Sequence, residues 1–332
     1  MRKLSVLLLA SALATIPTLA DDGAASIAVG GIVMTREPRI TMAKEVLTVS
    51  ESKVIVDYDF RNDTDADITT EVAFPIPDFE QEERAPSRQG FDDFKLWVDQ
   101  QPVHYEIEIK AIVSGRDYSS MLRSMGVDIQ SFGHNNDRNT RSQIDKLNAV
   151  QKGHLLKLGL LDKQYGEPNW EVRKKYYWSQ TFPAHGTVHI RHEYRPALGN
   201  SNSIAYGTLL TTGKASKEDY ELASVCPTSE LLSALRKDTQ QPHHVVGIDY
   251  VDFILTTANT WKQPIEDFTL NFERPPLDND PNHPATGVNY VSLCWDGPVE
   301  KIDASHFRAH TINFVPSKEL RIGFLQGYLM GD

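Results

Sequence analysis

Residues 54–77 read VIVDYDFRNDTDADITTEVAFPIP, and this stretch carries the pattern that decides the fold. Apolar and polar side chains alternate in its first part, with Val54, Val56, Tyr58 and Phe60 on one side and Ile55, Asp57 and Asp59 on the other. This period of two is typical of a β-strand with one buried face. The polar turn 61–67 then leads into a second strand at 68–74. Pro75 and Pro77 end that strand, because proline has no N–H to donate to a ladder.

The same alternation recurs along the rest of the chain, so we predict a mainly β fold. Strands are expected at 94–98, 103–109, 170–182, 187–194, 250–257, 268–273, 288–295, 306–314 and 320–325. The first two flank residues 99–102 as a predicted hairpin. Short strands separated by Pro, Gly, Asn and Asp favour a sandwich. We expect two β-sandwich-like antiparallel domains, at 21–198 and 199–332, the second with one short helix starting near Pro227.

A helical pattern interrupts the first predicted domain. Tyr118, Met121, Leu122 and Met125 follow the i, i+3, i+4, i+7 spacing of one helix face. Thr140 and Gln143 form a capping-box pattern for a second helix, expected to carry Ile144, Leu147 and Val150. We therefore predict a helical insertion at 114–169 between strands of one sheet.

The N-terminus has the pattern of a secretory signal peptide. Arg2 and Lys3 precede the apolar run Leu4–Ile16, and Thr18 to Ala20 offers small residues at the cleavage spacing. The run is too short to span a bilayer, and no Cys follows it to carry a lipid. We expect a signal peptide at 1–20, a mature chain from Asp21, a periplasmic or extracellular location, and no integral membrane segment.

Composition limits the partners of the mature chain. Of 332 residues, 312 remain after loss of the first 20, and hydrophobic residues make up 40% of the chain, which is enough for a packed core. The net charge of −11 becomes −13 once Arg2 and Lys3 are removed. An acidic body without a dense basic stripe repels phosphate backbones, so we expect no nucleic-acid partner.

The chain has two cysteines, Cys226 and Cys294, which are 68 positions apart. An even pair in an exported protein favours a disulfide, because the compartment is oxidising. The alternatives are free buried thiols or metal ligands, although no C-x-x-C or H-x-x-x-H accompanies either residue.

Several groups of acidic and histidine residues are candidate catalytic or metal sites. Asp63, Asp65 and Asp67 alternate like calcium ligands, but the expected Gly and bidentate acid are missing, so a solvated hairpin tip is favoured. The run 278–282, DNDPN, is either an oxygen-rich loop or an ordinary turn. The acids of the run 78–83 and Asp249 and Asp252 are candidates for the paired acids of a glycosidase, but their spacing alone places no two of them across a scissile bond.

The remaining candidate side chains do not make a recognisable catalytic site. His189 and His192 are three apart and point to opposite faces of a strand, which prevents shared metal ligation. Neither H-E-x-x-H nor G-x-S-x-G occurs. We expect no metal and no cofactor.

An aromatic cluster near residue 170 is the candidate ligand surface. Trp170, Tyr176 and Trp178 form either a stacking platform for sugar or peptide, or part of the core, with Tyr176 and Trp178 on one strand face. Lys174 and Lys175 beside them would keep such a patch wet.

Several of these segments together resemble a family of exported bacterial proteins defined only as a domain of unknown function. They are AVGGIVMT at 28–35 with its GG(I/L)xxT opening, 54–62, VAFPIP at 72–77 with its FPxP strand end, Tyr194 to Pro196, and the cysteine pair. The resemblance runs over nearly the whole mature chain and implies a bacterial, periplasmic or secreted protein, with no catalytic residue to carry over. The FPxP end is also similar to β-sandwich modules of vault and inter-α-trypsin-inhibitor proteins.

The sequence alone assigns neither a ligand nor a reaction. We predict a non-enzymatic binding or interaction module of the cell envelope, whose partner is an envelope protein, a peptide or a glycan. The alternative is a hydrolase that acts on cell-envelope polysaccharide. Acids converging in a concave pocket would favour the hydrolase.

Overall fold

The computed structural model describes residues 22–28, 31–77, 92–129, 143–201, 212, 220–277 and 284–329. The predicted signal peptide, the acidic run 78–83, the Thr140 cap and the loop 278–282 lie outside these ranges. The described residues are mainly β, as predicted.

Eighteen strands are present in the described residues. They are β1 (Gly23–Ala28), β2 (Gly31–Met34), β3 (Ile40–Val49), β4 (Val54–Asn62), β5 (Ile68–Pro75), β6 (Asp92–Val98), β7 (Gln101–Pro102), β8 (Glu106–Val113), β9 (Arg116–Asp117), β10 (Glu171–Phe182), β11 (Thr187–Arg195), β12 (Gly199–Ser201), β13 (His244–Phe253), β14 (Ile265–Glu273), β15 (Ala285–Leu293), β16 (Val299–Lys301), β17 (His306–Phe314) and β18 (Leu320–Leu329). The helices named here are α1 (Ser119–Ser124), α2 (Ala149–Leu158), α3 (Tyr220–Ala223) and α4 (Ser229–Thr239), with a 3₁₀ turn at Thr256–Thr260 and further helical residues at 143–145.

The strands form three sheets. A six-stranded sheet has the order β2-β1-β5-β10-β8-β9, an eight-stranded sheet β16-β17-β14-β3-β4-β11-β6-β7, and a four-stranded sheet β12-β13-β18-β15. Strand β4 alternates buried and half-buried side chains along its whole length, which is the pattern its sequence predicts.

The eight-stranded sheet differs from the prediction in the direction of one strand, and it contains strands from both halves of the chain. Strand β14 runs parallel to β3, with Asp267 opposite Lys44 and Phe272 opposite Val49, so the sheet is not wholly antiparallel. Strands β14, β16 and β17 come from beyond residue 199 but lie in one sheet with β3 and β4. The boundary between the two predicted domains stays a prediction. A sequence pattern shows that a segment is a strand, but it does not name the strand's partner.

The hairpin predicted around residues 99–102 is present only as two residue pairs, Trp97 with Pro102 and Val98 with Gln101. One edge of β6 pairs with β11, and its hairpin partner at the other edge is only the two-residue strand β7, after which the chain crosses to the six-stranded sheet as β8. There β8 pairs with β10, so the segment between them connects neighbouring strands of one sheet.

The predicted second helix is divided: residues 143–145 are helical, residues 146–147 form a turn, and helix α2 begins at Ala149. Its N-cap is Asn148, whose side chain accepts from the N–H of Gln151 in a capping box. Val150, which we expected on the buried face, is 81% exposed. The helical segment has its own core, formed by Leu122, Ile144, Leu155, Leu160, Trp170 and Val172 among others.

One large core is shared by inward side chains of all three sheets. It includes Phe60 and Phe268 of the eight-stranded sheet, Phe74 of the six-stranded sheet and Phe324 of the four-stranded sheet. On the far side of the four-stranded sheet, α3 and α4 cover a second cluster that includes Val246 and Leu325. The short helix predicted near Pro227 is α4, and Thr228 caps it by accepting from the N–H of Leu231.

Candidate functional site

A concave pocket lies where the four-stranded sheet meets the far edge of the eight-stranded sheet. Its volume is about 270 Å³, and its walls come from the ends of β13, β15 and β17 and the start of β18. The apolar wall consists of Trp295, Phe314, Leu255 and Leu320, and the hydroxyl groups are those of Thr311 and Ser317. We call this the Trp295 pocket.

The aromatic wall is held by stacking against a buried ring. Phe268 is fully buried, and its ring centroid lies 4.6 Å from that of Phe314 and 5.9 Å from that of Trp295. Trp295 and Phe314 are 5.5 Å apart and tilted by 42°. Offset pairs of this kind add to the stability that ring burial already supplies. The wall is therefore preformed.

Gly297 lets the backbone pass close to the Trp295 indole. A Cβ at position 297 would lie 2.9 Å from Trp295 Nε1, which is tighter than ordinary contact. Within the described ranges this buried Nε1 has no hydrogen-bond partner. The indole thus presents its ring, rather than its N–H, as the contact surface of the pocket.

Both acids that line the pocket are held in structural contacts. Glu319 accepts hydrogen bonds from the N–H of Leu255 at 2.8 Å, the N–H of Thr256 at 3.2 Å and the hydroxyl of Thr256 at 2.6 Å. The Asp296 carboxylate lies 3.1 Å from Lys318 Nζ, and both side chains are largely exposed at the rim. Glu319 therefore fixes the 3₁₀ turn, and Asp296 and Lys318 form an ionic rim.

The predicted disulfide is confirmed. Cys226 is bonded to Cys294 with a Cα–Cα distance of 4.9 Å, which lies in the normal range. Cys294 lines the Trp295 pocket directly and precedes Trp295 in the chain. The bond therefore ties one pocket wall to the segment between α3 and α4.

The aromatic platform predicted from the sequence is not available as a surface. Trp170, Tyr176 and Trp178 are only 2–3% exposed. Tyr176 stacks on Phe94 with centroids 4.1 Å apart, and Trp178 meets His192 edge-on at 5.4 Å. All three rings are therefore packed in hydrophobic cores. This is the second of the two alternatives that the sequence left open.

A buried polar group lies in the large core, and the sequence pointed to only part of it. His192 is fully buried, and its Nε2 lies 3.3 Å from Oδ2 of Asp22, which is also fully buried. Burial lowers the pKa of His192 to about 3, because the core disfavours the charged imidazole. Alternation in β11 indicated that His192 faces inward. No signal pointed to Asp22, which lies next to the predicted cleavage site.

The main chain of Asp22 is held as firmly as its side chain. Its N–H donates to the Tyr58 hydroxyl at 3.4 Å, and its carbonyl accepts from Trp261 Nε1 at 2.6 Å. The chain therefore enters the core at Asp22, immediately before β1.

The acidic tip that resembled a calcium loop is held by basic and main-chain groups. Asp63 pairs with Arg61 at 2.7 Å, Asp65 contacts His185 at 2.9 Å, and Asp67 accepts from the N–H of Ala184. Asp252 forms a bidentate ion pair with Arg321. In the part of the chain that the structure describes, no three His, Cys, Asp or Glu side chains converge as metal ligands.

A family model described as "Domain of unknown function (DUF4424)" matches residues 20–322. The chain belongs to the DUF4424 family. A comparison with curated proteins finds no match. Among solved structures, this DUF4424 chain is similar to a Legionella pneumophila protein named "putative nutrient binding protein", with 14% identity, a TM-score of 0.43, and coverage of 87% of this chain and 68% of that one. At these values the similarity assigns no ligand to the DUF4424 chain. None of its described helices has the length and apolar character needed to cross a membrane.

Proposed function

We propose that the protein is an exported binding module of the bacterial cell envelope, and that its ligand occupies the Trp295 pocket. The observation that carries this proposal is the preformed aromatic wall, in which Trp295 and Phe314 are stacked on buried Phe268 beside the hydroxyl of Thr311. Concave, mostly apolar sites with a few polar groups are the usual seats of ligands. The partner is an envelope protein, a peptide or a glycan.

Three observations support export. The family match begins at residue 20, where the predicted signal peptide ends. Asp22, two residues after the predicted cleavage site, is buried and followed by β1, so the fold includes the chain close to that site. The disulfide is of the kind that forms in an oxidising compartment.

Binding without catalysis fits the acids of the pocket better than hydrolysis does. A glycosidase needs one carboxyl to protonate the leaving group and a second to act as nucleophile or base. Glu319 is held by three hydrogen bonds, and Asp296 is paired with Lys318 at the exposed rim. The hydrolase therefore remains the less supported alternative.

The test is affinity capture from envelope extract with the mature chain and two variants. Thr311→Phe fills the pocket, because Thr311 lines it and lies opposite Phe268 in the ladder. Thr269→Phe is the matched control, since Thr269 lies on the other face of neighbouring β14. A species retained by the wild type and by Thr269→Phe but lost with Thr311→Phe supports the proposal. Equal retention by all three proteins contradicts it.

A further inference from the structure

The Trp295 pocket has the size and lining of a seat for one apolar side chain. Its volume of about 270 Å³ is below the roughly 300–1,000 Å³ of sites that enclose drug-sized ligands. Its inner wall is aromatic and aliphatic, and its ionic pair, Asp296 and Lys318, is at the rim. A ligand with a compact apolar group and a polar continuation fits this distribution.

Strand β16 begins two residues after Gly297 and is the open edge of the eight-stranded sheet. The N–H of Ile302 donates to the carbonyl of His306, so this is a hydrogen-bonded pair. Bonded and non-bonded pairs alternate in an antiparallel ladder. Glu300 is therefore the next bonded residue, and the N–H and C=O groups of Val299 and Lys301 face away from β17.

At two other edge strands of the described sheets, the outward main-chain groups are missing or already bonded, which is not the case at β16. At the opposite edge of the same sheet, β7 contains Pro102, which has no N–H. At the β2 edge of the six-stranded sheet, both main-chain groups of Ile32 are bonded to side chains. Its N–H donates to Glu108 at 2.8 Å, and the Ile32 carbonyl accepts from Lys175 at 2.6 Å. No contact of this kind covers Val299 or Lys301 among the described residues.

The side chains of β16 match an added strand beside the pocket. Val299 lies opposite Ala309 and thus on the same face of the sheet as Thr311 of the pocket. Val299 is 43% exposed, and the nearby Ile302 is 45% exposed. Apolar surface therefore continues from the pocket along the open edge.

We propose that the ligand is an extended polypeptide segment that adds to β16 as a further strand and places one apolar side chain in the Trp295 pocket. The proposal rests on the binding function proposed above and identifies the class of ligand. Main-chain hydrogen bonds to Val299 and Lys301 supply affinity that does not depend on sequence, and the pocket selects the side chain. A glycan fits less well, because both pocket acids are already held in protein contacts and only two hydroxyl groups remain to pair with sugar hydroxyls.

The test uses the mature chain labelled with ¹⁵N and four probes. They are N-acetylphenylalaninamide, the extended peptide acetyl-TVFVT-amide, the same peptide with alanine at its centre, and N,N′-diacetylchitobiose. Titrations follow the Trp295 indole and the Val299 and Lys301 amide resonances. We expect the phenylalanine peptide to bind at least about tenfold more tightly than the single-residue amide and the alanine peptide, and to shift all three resonances.

Two variants separate the strand edge from the pocket. Val299→Pro removes the outward N–H at an edge position where proline is tolerated, and should weaken the phenylalanine peptide about fivefold, the effect of one net main-chain hydrogen bond. Val299→Thr keeps the N–H and therefore the main-chain hydrogen bond. It should change the affinity for the phenylalanine peptide by less than about twofold. Both variants should bind the single-residue amide as the wild type does.

Each other result overturns the proposal at an identifiable step. If the phenylalanine peptide binds no better than the single-residue amide, and both Val299 variants behave alike, strand addition is wrong while the pocket function stands. If only the disaccharide shifts Trp295, the ligand is a glycan. If no probe shifts Trp295, the polypeptide proposal fails, and the capture comparison between Thr311→Phe and Thr269→Phe decides separately whether the pocket binds anything.

Discussion

Buried His192 should make the fold sensitive to mild acid. The pKa of His192 is about 3 in the folded protein because of burial, against about 6.5 in an unfolded chain. Between these values the unfolded chain binds the extra proton, so stability is present above pH 6.5 and is lost as the pH falls. From pH 7.5 to 5.0 this group alone should remove about 2 kcal/mol from the free energy of unfolding.

The measurement compares urea unfolding of the wild type and His192→Gln at pH 7.5 and 5.0. Glutamine keeps a neutral polar group near Asp22 but does not titrate, so the difference between the two proteins reports the titration of His192 together with its contact to Asp22, and the other ionisable groups cancel. His306→Gln is the control: Asp303 raises the pKa of His306, so this exposed residue should favour the fold at low pH, the opposite sign. Wild-type and His192→Gln stabilities that fall in parallel would refute the reasoning.

Three further outcomes are expected. Cys226→Ser should lose about 4 kcal/mol of stability, because the disulfide closes a loop of 68 positions. Reductant should lower the melting temperature of the wild type but not that of the variant. A wild-type melting curve that is unchanged by reductant would show that the bond does not stabilise the fold. The mass of the protein recovered from the periplasm or medium should correspond to a chain that begins at Asp21; an intact leader there would contradict the export proposal. Gly297→Ala should shift the Trp295 indole resonance and weaken ligand binding at least about threefold, because the added Cβ lies 2.9 Å from Nε1. Unchanged affinity would show that the indole does not form the binding wall.

The strands were predictable where one face of the sheet is buried. Strands β4, β11 and β17 lie where alternation places them, because burial of one face leaves a period of two in the sequence. Helix α4 was predictable from its Thr228 cap and the basic residues in its last turn. These are local features, and local sequence specifies them.

Pairing between distant segments was not predictable. The parallel ladder of β3 and β14 joins segments more than 200 positions apart, and neither strand carries a mark of its partner. The Trp295 pocket likewise combines Leu255 with residues 294–297 and 311–320. The choice between platform and core was open for a related reason: alternation shows that Tyr176 and Trp178 share a face, but not that a second sheet covers that face.

The central claim is that the Trp295 pocket binds the ligand, and an affinity comparison tests it most directly. The species captured from envelope extract is titrated by calorimetry into the wild type, Thr311→Phe and Thr269→Phe, after circular dichroism has shown that all three are folded. We predict that Thr311→Phe loses more than about tenfold in affinity, which corresponds to about 1.4 kcal/mol, while Thr269→Phe matches the wild type. Equal dissociation constants for all three proteins would place the ligand elsewhere and contradict the account.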